Sequence, residues 1–378
     1  MDRLGVAPAP APRQTSAAAP LGRRGGSAQV LPAMPPSPAP WLTLRPEGLY
    51  CVPADLFIDP LRVVERAVIT HAHSDHARPG HRHVLASPET LLLMRARLGA
   101  RACGSPQPLG WGETVAIGGV RLSLSPAGHV LGSAQVVLEH AGQRVVISGD
   151  YKRAADPTCA GFVPVRCDAF VTEATFGLPV FRFPPAAHEI ARLLDSLALF
   201  PDRTHVLGCY SLGKSQRVIA LLREAGWDRP VFVHGALAGM CAVYEACGVR
   251  LGPLRPASEA DSAALAGAIV LAPPGTTTEG WAGQPTDPVG ALASGWMATR
   301  RQARARRVEL PLVISDHADW DGLVATIGET GAAEVWVTHG REDALIHAAA
   351  RLGVRARALR AASAEVAADP AAEPATGR

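Results

Sequence analysis

Seven side chains suited to holding metal ions lie at or just after short apolar runs: His71, His73, Asp75, His76, His129, Asp150 and His339. The densest group is Thr70-His71-Ala72-His73-Ser74-Asp75-His76, which follows Ala67-Val68-Ile69. In an extended segment, positions two apart face the same way. His71 and His73 can therefore converge on one ion, while Asp75 and His76, one turn later, face a second. Chance would place an H-x-H-x-D-H pattern in such a chain on the order of one time in a thousand. Imidazole together with carboxylate suits Zn²⁺ or Mn²⁺. The competing reading, four polar residues in a surface loop, leaves three clustered imidazoles without a ligand, which is unfavourable.

His129 closes Pro126-Ala127-Gly128-His129, Asp150 closes Ile147-Ser148-Gly149-Asp150, and His339 lies in Val337-Thr338-His339-Gly340. Each has a glycine beside it, which lets the backbone approach a packed centre. Singly, each reads equally well as a turn residue. Together with the first group they supply enough donors for two ions, with Asp150 as a bridging carboxylate. Two ions roughly 3.5 to 4 Å apart activate water and hold a phosphate or carbonyl through a displacement. Asp59, in Phe57-Ile58-Asp59-Pro60, is placed to accept a hydrogen bond from a ligand imidazole and fix its tautomer, or else simply to start an Asp-Pro turn.

The elements that must position these residues are legible in outline. Short β-branched runs, Arg66 to Thr70, Arg121 to Ser125, Ala134 to Glu139 and Arg144 to Ser148, alternate with turn residues, and a hairpin turn is expected at Ala141-Gly142. After Phe170 the pattern becomes layered α/β: a helix over Ala187 to Phe200, a strand over Thr204 to Cys209, an amphipathic helix over Gly213 to Ala225, and a strand over Pro230 to Val233. Pro253 to Ala293 reads as loop, and Val308 to Ile314 and Glu334 to Thr338 return as buried strands. Residues 1–40 and 362–378 are rich in Ala and Pro without a helical or strand period, and are expected to be a disordered arm and tail.

At 378 residues with 48% hydrophobic and 19% charged residues, the composition is globular and excludes a coiled coil or a collagen-like fibre. No apolar run reaches the roughly 18 residues of a membrane span. Seven cysteines without a C-x-x-C pair make neither a disulfide framework nor a thiolate metal site, so a reducing, cytoplasmic setting is expected. A net charge of +3 is too small to argue whole-protein attraction to polyanions. The basic residues are almost all Arg, with Lys only at 152 and 214.

The order His71 to His76, then His129, then Asp150 resembles the metallo-β-lactamase superfamily. Val171-Thr172-Glu173-Ala174-Thr175-Phe176-Gly177, Ser315-Asp316-His317-Ala318-Asp319 and Thr338-His339-Gly340 resemble, in order, the three extra motifs of its β-CASP nucleases. The resemblance runs from about Trp41 to Gly353. Within the family, Pro46 to Cys51, His71 to Gly80, Gly149 to Arg153 and Thr172 to Pro179 look like bacterial ligase-associated DNA exonucleases. It implies an α/β fold, a four-layered αββα sandwich over residues 41–179 and 309–355 with an inserted β-CASP domain over 180–308. It implies two Zn²⁺, with Mn²⁺ possible, held by His71, His73, Asp75, His76, His129, Asp150 and His339. By the same resemblance, Glu173 orients His317, His317 protonates the leaving oxygen, and Asp75 serves the catalytic centre; a positioned imidazolium is what a poor phosphodiester leaving group needs.

The implied activity is phosphodiester hydrolysis, foremost as a DNA exonuclease in repair beside an ATP-dependent DNA ligase and a helicase, without a membrane partner. A histidine at position 339 is associated with RNA-processing members, which keeps RNA open. A thioesterase or lactamase would share the metal ligands but not need Glu173, His317 or the inserted segment, and a non-catalytic scaffold would be expected to have lost ligands. Lys152 and Arg153, directly after Asp150, are expected to contact a backbone phosphate, as are Lys214 and Arg217 at a helix start. The run Arg300 to Arg307 could line the same channel, although such runs are more often solvated faces.

Overall fold

The computed structural model describes residues 39, 41–275, 285 and 287–359. The expected arm and tail therefore lie outside the described residues, apart from Ala39, which is buried. The chain opens with a six-stranded sheet in sequential order: β1 Leu42–Arg45, β2 Gly48–Cys51, β3 Leu56–Ile58, β4 Arg66–Val68, β5 His81–Ala86 and β6 Cys103–Pro108, with helix α1 Pro88–Leu98 between the last two. The first three strands pair antiparallel and the rest parallel.

A second sheet begins with β7 Thr114–Ile117, β8 Val120–Pro126, β9 Ala134–His140, β10 Gln143–Ile147 and β11 Ala169–Ala174. The β9–β10 hairpin turns at Ala141 and Gly142, both with positive φ (50° and 76°), as a two-residue turn matched to strand twist requires.

The chain then crosses to a third sheet, all of whose strand pairs are parallel: α2 Ala186–Leu199, β12 His205–Gly208, α3 Lys214–Glu224, β13 Val231–Val233, α4 Gly235–Ala246, β14 Leu254–Pro256, α5 Ser262–Leu265, β15 Ile269–Ala272, β16 Val289–Ala293, α6 Arg300–Ala305 and β17 Leu310–Leu312, in spatial order β14-β13-β15-β12-β16-β17. It returns through α7 Trp320–Thr330, β18 Glu334–Gly340, α8 Glu342–Arg351 and β19 Arg355–Ala358, completing the second sheet in the order β19-β18-β11-β10-β9-β8-β7.

The segment from Pro253 to Ala293, expected as loop, thus carries three strands of the third sheet. The physical reason is that a strand buried on both faces shows no alternation: Ile269–Ala272 and Val289–Ala293 are short apolar runs in an Ala/Gly/Pro background.

One core lies between the first two sheets, with Leu56, Ile58 and Val68 meeting Leu122, Val136, Leu138 and Trp336. The outer face of the second sheet is covered by Leu323, Ile327, Leu345 and Ala349 of α7 and α8. On the outer face of the first sheet, Leu93 and Met94 of α1 join a continuous cluster with Ile219, Tyr244 and Leu271 of the third-sheet region. That shared cluster locks the third sheet against the first, beside the strand ends that carry the histidines. No helix among the described residues is long and apolar enough to cross a membrane.

Candidate metal centre

The histidine segment leaves the end of β4, Asp150 follows β10, and Glu173 lies in β11, so the centre gathers at one edge of the two facing sheets. Gly149 has φ 55°, and a Cβ there would lie 2.7 Å from the Thr70 side chain; glycine is what lets Asp150 close on the His71 segment. His339 is reached differently. The β11–β18 register slips between Glu173 and Ala174, and His339 takes the left-handed region (φ 53°), so a bulge turns its ring toward Asp150.

Three groups of donor atoms, each within 4.8 Å of one another, form among the described residues: His71, His73, His129 with Asp150; His76, Asp150 with His339; and Asp150, Glu173 with His317. Asp150 belongs to all three. Its Oδ2 lies 3.6 Å from His71 Nε2, 3.5 Å from His76 Nε2 and 3.8 Å from His129 Nε2, and its Oδ1 lies 3.8 Å from His339 Nδ1. The charges of His76 and His317 outweigh the burial of Asp150 and hold its carboxyl well below the usual range. Asp75 stands outside these compact groups: its side chain is largely exposed, with Oδ2 3.7 Å from His76 Nε2.

Four of these imidazoles are oriented from behind. His129 Nδ1 lies 2.8 Å from the Asp316 carbonyl and His73 Nε2 lies 3.1 Å from the Leu212 carbonyl. A carbonyl only accepts, so those nitrogens carry the protons, and His129 Nε2 and His73 Nδ1, 3.0 Å apart, present unprotonated lone pairs. His76 Nδ1 donates to Asp59 Oδ2 at 2.8 Å. Asp59 also accepts from Thr70 N (2.8 Å) and Thr70 Oγ1 (2.6 Å), and that hydroxyl oxygen, 3.1 Å from His71 Nδ1, is free to accept from it. One carboxylate thus steers two imidazoles, one directly and one through Thr70.

The consequence is that His71 Nε2, His76 Nε2 and Asp150 Oδ1 are buried with no hydrogen-bond partner among the described residues. Leaving a buried polar atom unsatisfied costs about 1–3 kcal/mol, more when charged. Orphaned imidazole and carboxylate donors aimed at one another are a chemically apt set for divalent cations. Burial pushes His71 and His129 well below the ordinary imidazole value, which suits neutral ligands, whereas Asp150, Asp75 and Asp59 outweigh burial at His76 and raise it.

Beside this set, Glu173 clasps His317: Nδ1 lies 2.9 Å from Oε2 and 3.1 Å from Oε1. Glu173 Oε1 also accepts from Tyr151 N at 2.7 Å, so it is itself held by the residue after Asp150. Burial opposes the imidazolium, but the charges of Glu173 and Asp150 outweigh it and push His317 up to about 9. The next residues of that motif are structural: Ala318 N donates to Tyr151 O at 2.6 Å, and Asp319 caps α7 by accepting from Gly322 N at 2.9 Å.

Of the four residues expected to meet nucleic acid, Lys152, Lys214 and Arg217 are buried against carboxylates, which corrects the expectation for those three, while Arg153 is exposed. Lys152 is buried, with Nζ donating to Gly128 O (2.5 Å) and Asp156 Oδ2 (2.6 Å). Lys214 is buried against Asp316 Oδ2 at 2.8 Å. Arg217 is buried between Asp156 (3.3 Å) and Asp316 (3.2 Å). Arg153 pairs with Glu329 at 2.6 Å and lies over the Phe162 ring. A cation following a ligand in sequence need not face the ligand's open side, and only tertiary packing decides which way it points. The roles of Thr70, Asp156 and the Leu212 carbonyl had no motif-level signal, because a backbone carbonyl carries no sequence identity.

No protein-family model matches the chain. It is 32% identical over 312 residues to a probable DNA ligase of Opitutus terrae, covering 80% of this chain and 29% of that protein. It is 30% identical over 142 residues to endoribonuclease YSH1 of Saccharomyces cerevisiae, covering 34% of this chain and 18% of the relative. It is 27% identical over 210 residues to ribonuclease TTHA0252 of Thermus thermophilus, covering 48% of each. The chain spans less than half the length of these curated relatives. Likeness to two ribonucleases and to one ligase-named protein, on a chain whose histidines and acids converge as described, supports the resemblance to the β-CASP nucleases of the metallo-β-lactamase superfamily.

Proposed function

We propose that this chain is a dinuclear metal-dependent phosphodiester hydrolase that trims DNA ends as an exonuclease, working alongside an ATP-dependent DNA ligase and a helicase. The observation that carries the hydrolase reading is the sharing of Asp150 by two imidazole groups while the Glu173–His317 pair stands against the same carboxylate, His317 Nδ1 being 3.9 Å from its Oδ2.

In this reading His71, His73, His129 and Asp150 would hold one Zn²⁺ or Mn²⁺, and Asp150, His76 and His339 would hold a second, with Asp75, beside His76, as a further ligand. Two such ions, when bound, polarise the phosphodiester and make water nucleophilic at neutral pH. Glu173 fixes the His317 ring through Nδ1, so Nε2 is the nitrogen that delivers a proton to the departing oxygen. Asp59 keeps His76, and through Thr70 His71, in the tautomer that presents Nε2.

The layering supports the matching fold reading: α1, the first sheet, the second sheet and α7 with α8 make an αββα sandwich, and the third sheet is the inserted β-CASP domain. The insertion spans residues near 180 to 312 on this reading, since Leu310–Leu312 pairs with β16 rather than with the second sheet.

DNA is favoured by the length of the match to the ligase-named relative, whereas the names of the shorter matches favour RNA. The test is cleavage of matched single-stranded DNA and RNA, labelled at either end, with Mn²⁺ or Zn²⁺ and with Asp150→Ala protein as the contamination control. Stepwise shortening of DNA is expected. Cleavage of RNA alone would replace the DNA reading, and no Asp150-dependent cleavage of either would end the nuclease reading.

A further inference from the structure

Behind the metal centre lies a second buried polar cluster that the proposed chemistry does not use. Lys152, Lys214, Arg217 and Asp316 are buried, and the Asp156 side chain is only 2% exposed. Arg217 joins the two acids, Lys152 pairs with Asp156, and Lys214 pairs with Asp316. The chain has 37 basic residues and only two lysines, and both fall in this cluster. A compact ammonium fits where the planar fork of an arginine would need more room.

The cluster is also a mechanical link. Asp316 presents its carbonyl to His129 Nδ1 at 2.8 Å and is followed directly by His317. Arg217 Nη1 donates to Ser315 O, and Ser315 Oγ accepts from His317 N at 3.0 Å. Lys152 grips the chain from the other side, donating to the Gly128 carbonyl next to His129 at 2.5 Å. Two residues before Lys214, the Leu212 carbonyl accepts from His73 Nε2. Gly213, between them, has φ 91°, and a Cβ there would lie 2.4 Å from Val130 Cγ1, so the turn is pressed against the His129 loop. The β12–α3 turn of the third sheet therefore reaches His73, His129 and the His317 loop at once, and the rings of His129 and His317 end 4.6 Å apart between centroids.

We infer that Lys214 and Arg217 are positioning residues: acting through Asp316, the β12–α3 segment sets the placement of the proton donor His317 relative to the metal-facing His129. This rests on the hydrolase reading above. It assigns the third sheet a part in aligning the reaction, beyond covering the cleft.

The test uses the full chain carrying Lys214→Met, Asp316→Asn, or both. Each variant is assayed on single-stranded nucleic acid, whose leaving oxygen needs a proton, and on thymidine 5′-(p-nitrophenyl phosphate), whose leaving group does not. For Lys214→Met, kcat on nucleic acid should fall about 100-fold with KM little changed, and much less on the nitrophenyl ester. The double variant, which removes the pair together and leaves no lone buried charge, should be no worse than the poorer single variant. Equal losses on both substrates, losses that multiply in the double variant, or a rise in KM alone would overturn the inference. A readout independent of turnover is the visible spectrum of the Co²⁺-loaded protein, which should shift in Lys214→Met with cobalt content retained. An inactive but folded wild type would defeat the hydrolase reading alone; an unchanged cobalt spectrum would defeat the positioning role.

Discussion

Two buried polar regions lie back to back in this molecule, and they are built on opposite principles. In the ion cluster, each carboxylate meets two cations: Asp156 has Lys152 and Arg217, and Asp316 has Lys214 and Arg217. In the histidine centre, His71, His73, His76 and His129 are each satisfied on the outer nitrogen, and the inner atoms of His71, His76 and Asp150 are left without partners among the described residues. Burial is costly in both, and only the first offsets that cost internally. The difference separates structural from chemical polarity: orphaned donors that converge point to a ligand, whereas paired charges hold a shape.

The strongest way to break this comparison is to remove the one carboxylate that all three donor groups share. Asp150→Ala should abolish hydrolysis and lower bound metal to below about one equivalent per chain by elemental analysis, because both ligand sets lose a member. Retention of two equivalents would show that the imidazoles suffice and that Asp150 bridges nothing. Next in size, His317→Ala should leave metal content intact and lower kcat by about 10²–10⁴-fold, with recovery on the nitrophenyl ester. Equal losses on both substrates would remove it as the proton donor.

A smaller effect is expected one step out from the ligands. Asp59→Ala frees the outer nitrogen of His76 and the Thr70 hydroxyl, and metal affinity in a competition titration with a chelator should weaken by about 10–100-fold. An unchanged affinity would mean that packing alone orients those rings.

The ion cluster should respond in stability rather than metal content. Lys152→Met leaves Asp156 with Arg217 as its one remaining cation and should destabilise the chain in denaturant unfolding by up to about 3–5 kcal/mol, with much of it restored by adding Asp156→Asn. The pH dependence has a definite sign. Burial acts to raise the Asp156 carboxyl, but Lys152 and Arg217 outweigh it and hold it below its ordinary value. The folded chain thus releases this proton at lower pH than the unfolded chain does. The stabilisation is complete above the ordinary carboxylate range and is lost as pH falls through it toward the folded value. The Lys152→Met, Asp156→Asn pair should accordingly flatten the acid limb of stability against pH; an acid limb identical to wild type would assign that lability to other carboxylates.

Much of the centre is legible in the order and spacing of its residues. H-x-H-x-D-H after an apolar run carries its own geometry, since alternate positions of an extended segment face together, and His71, His73 and His76 do converge. Glu173 and His317 became a pair only through resemblance, because 144 residues separate them and no local pattern connects them. The basic residues show the limit most clearly. Lys152 and Lys214 look like phosphate contacts when judged by their neighbours in sequence, yet both face inward to carboxylates.

The sequence by itself determined which atoms are available for the chemistry, the histidines and acids and the glycines that let them approach, along with the alternation of strand and helix that carries them. Tertiary structure decided direction. It made His339 the bulged residue aimed at Asp150, placed the Leu212 and Asp316 carbonyls behind His73 and His129, and folded the cations inward. The physical reason is that ligand type and strand period are properties of residues and their immediate spacing. Which nitrogen carries a proton, and which charge meets which, depends on partners brought together from distant parts of the chain.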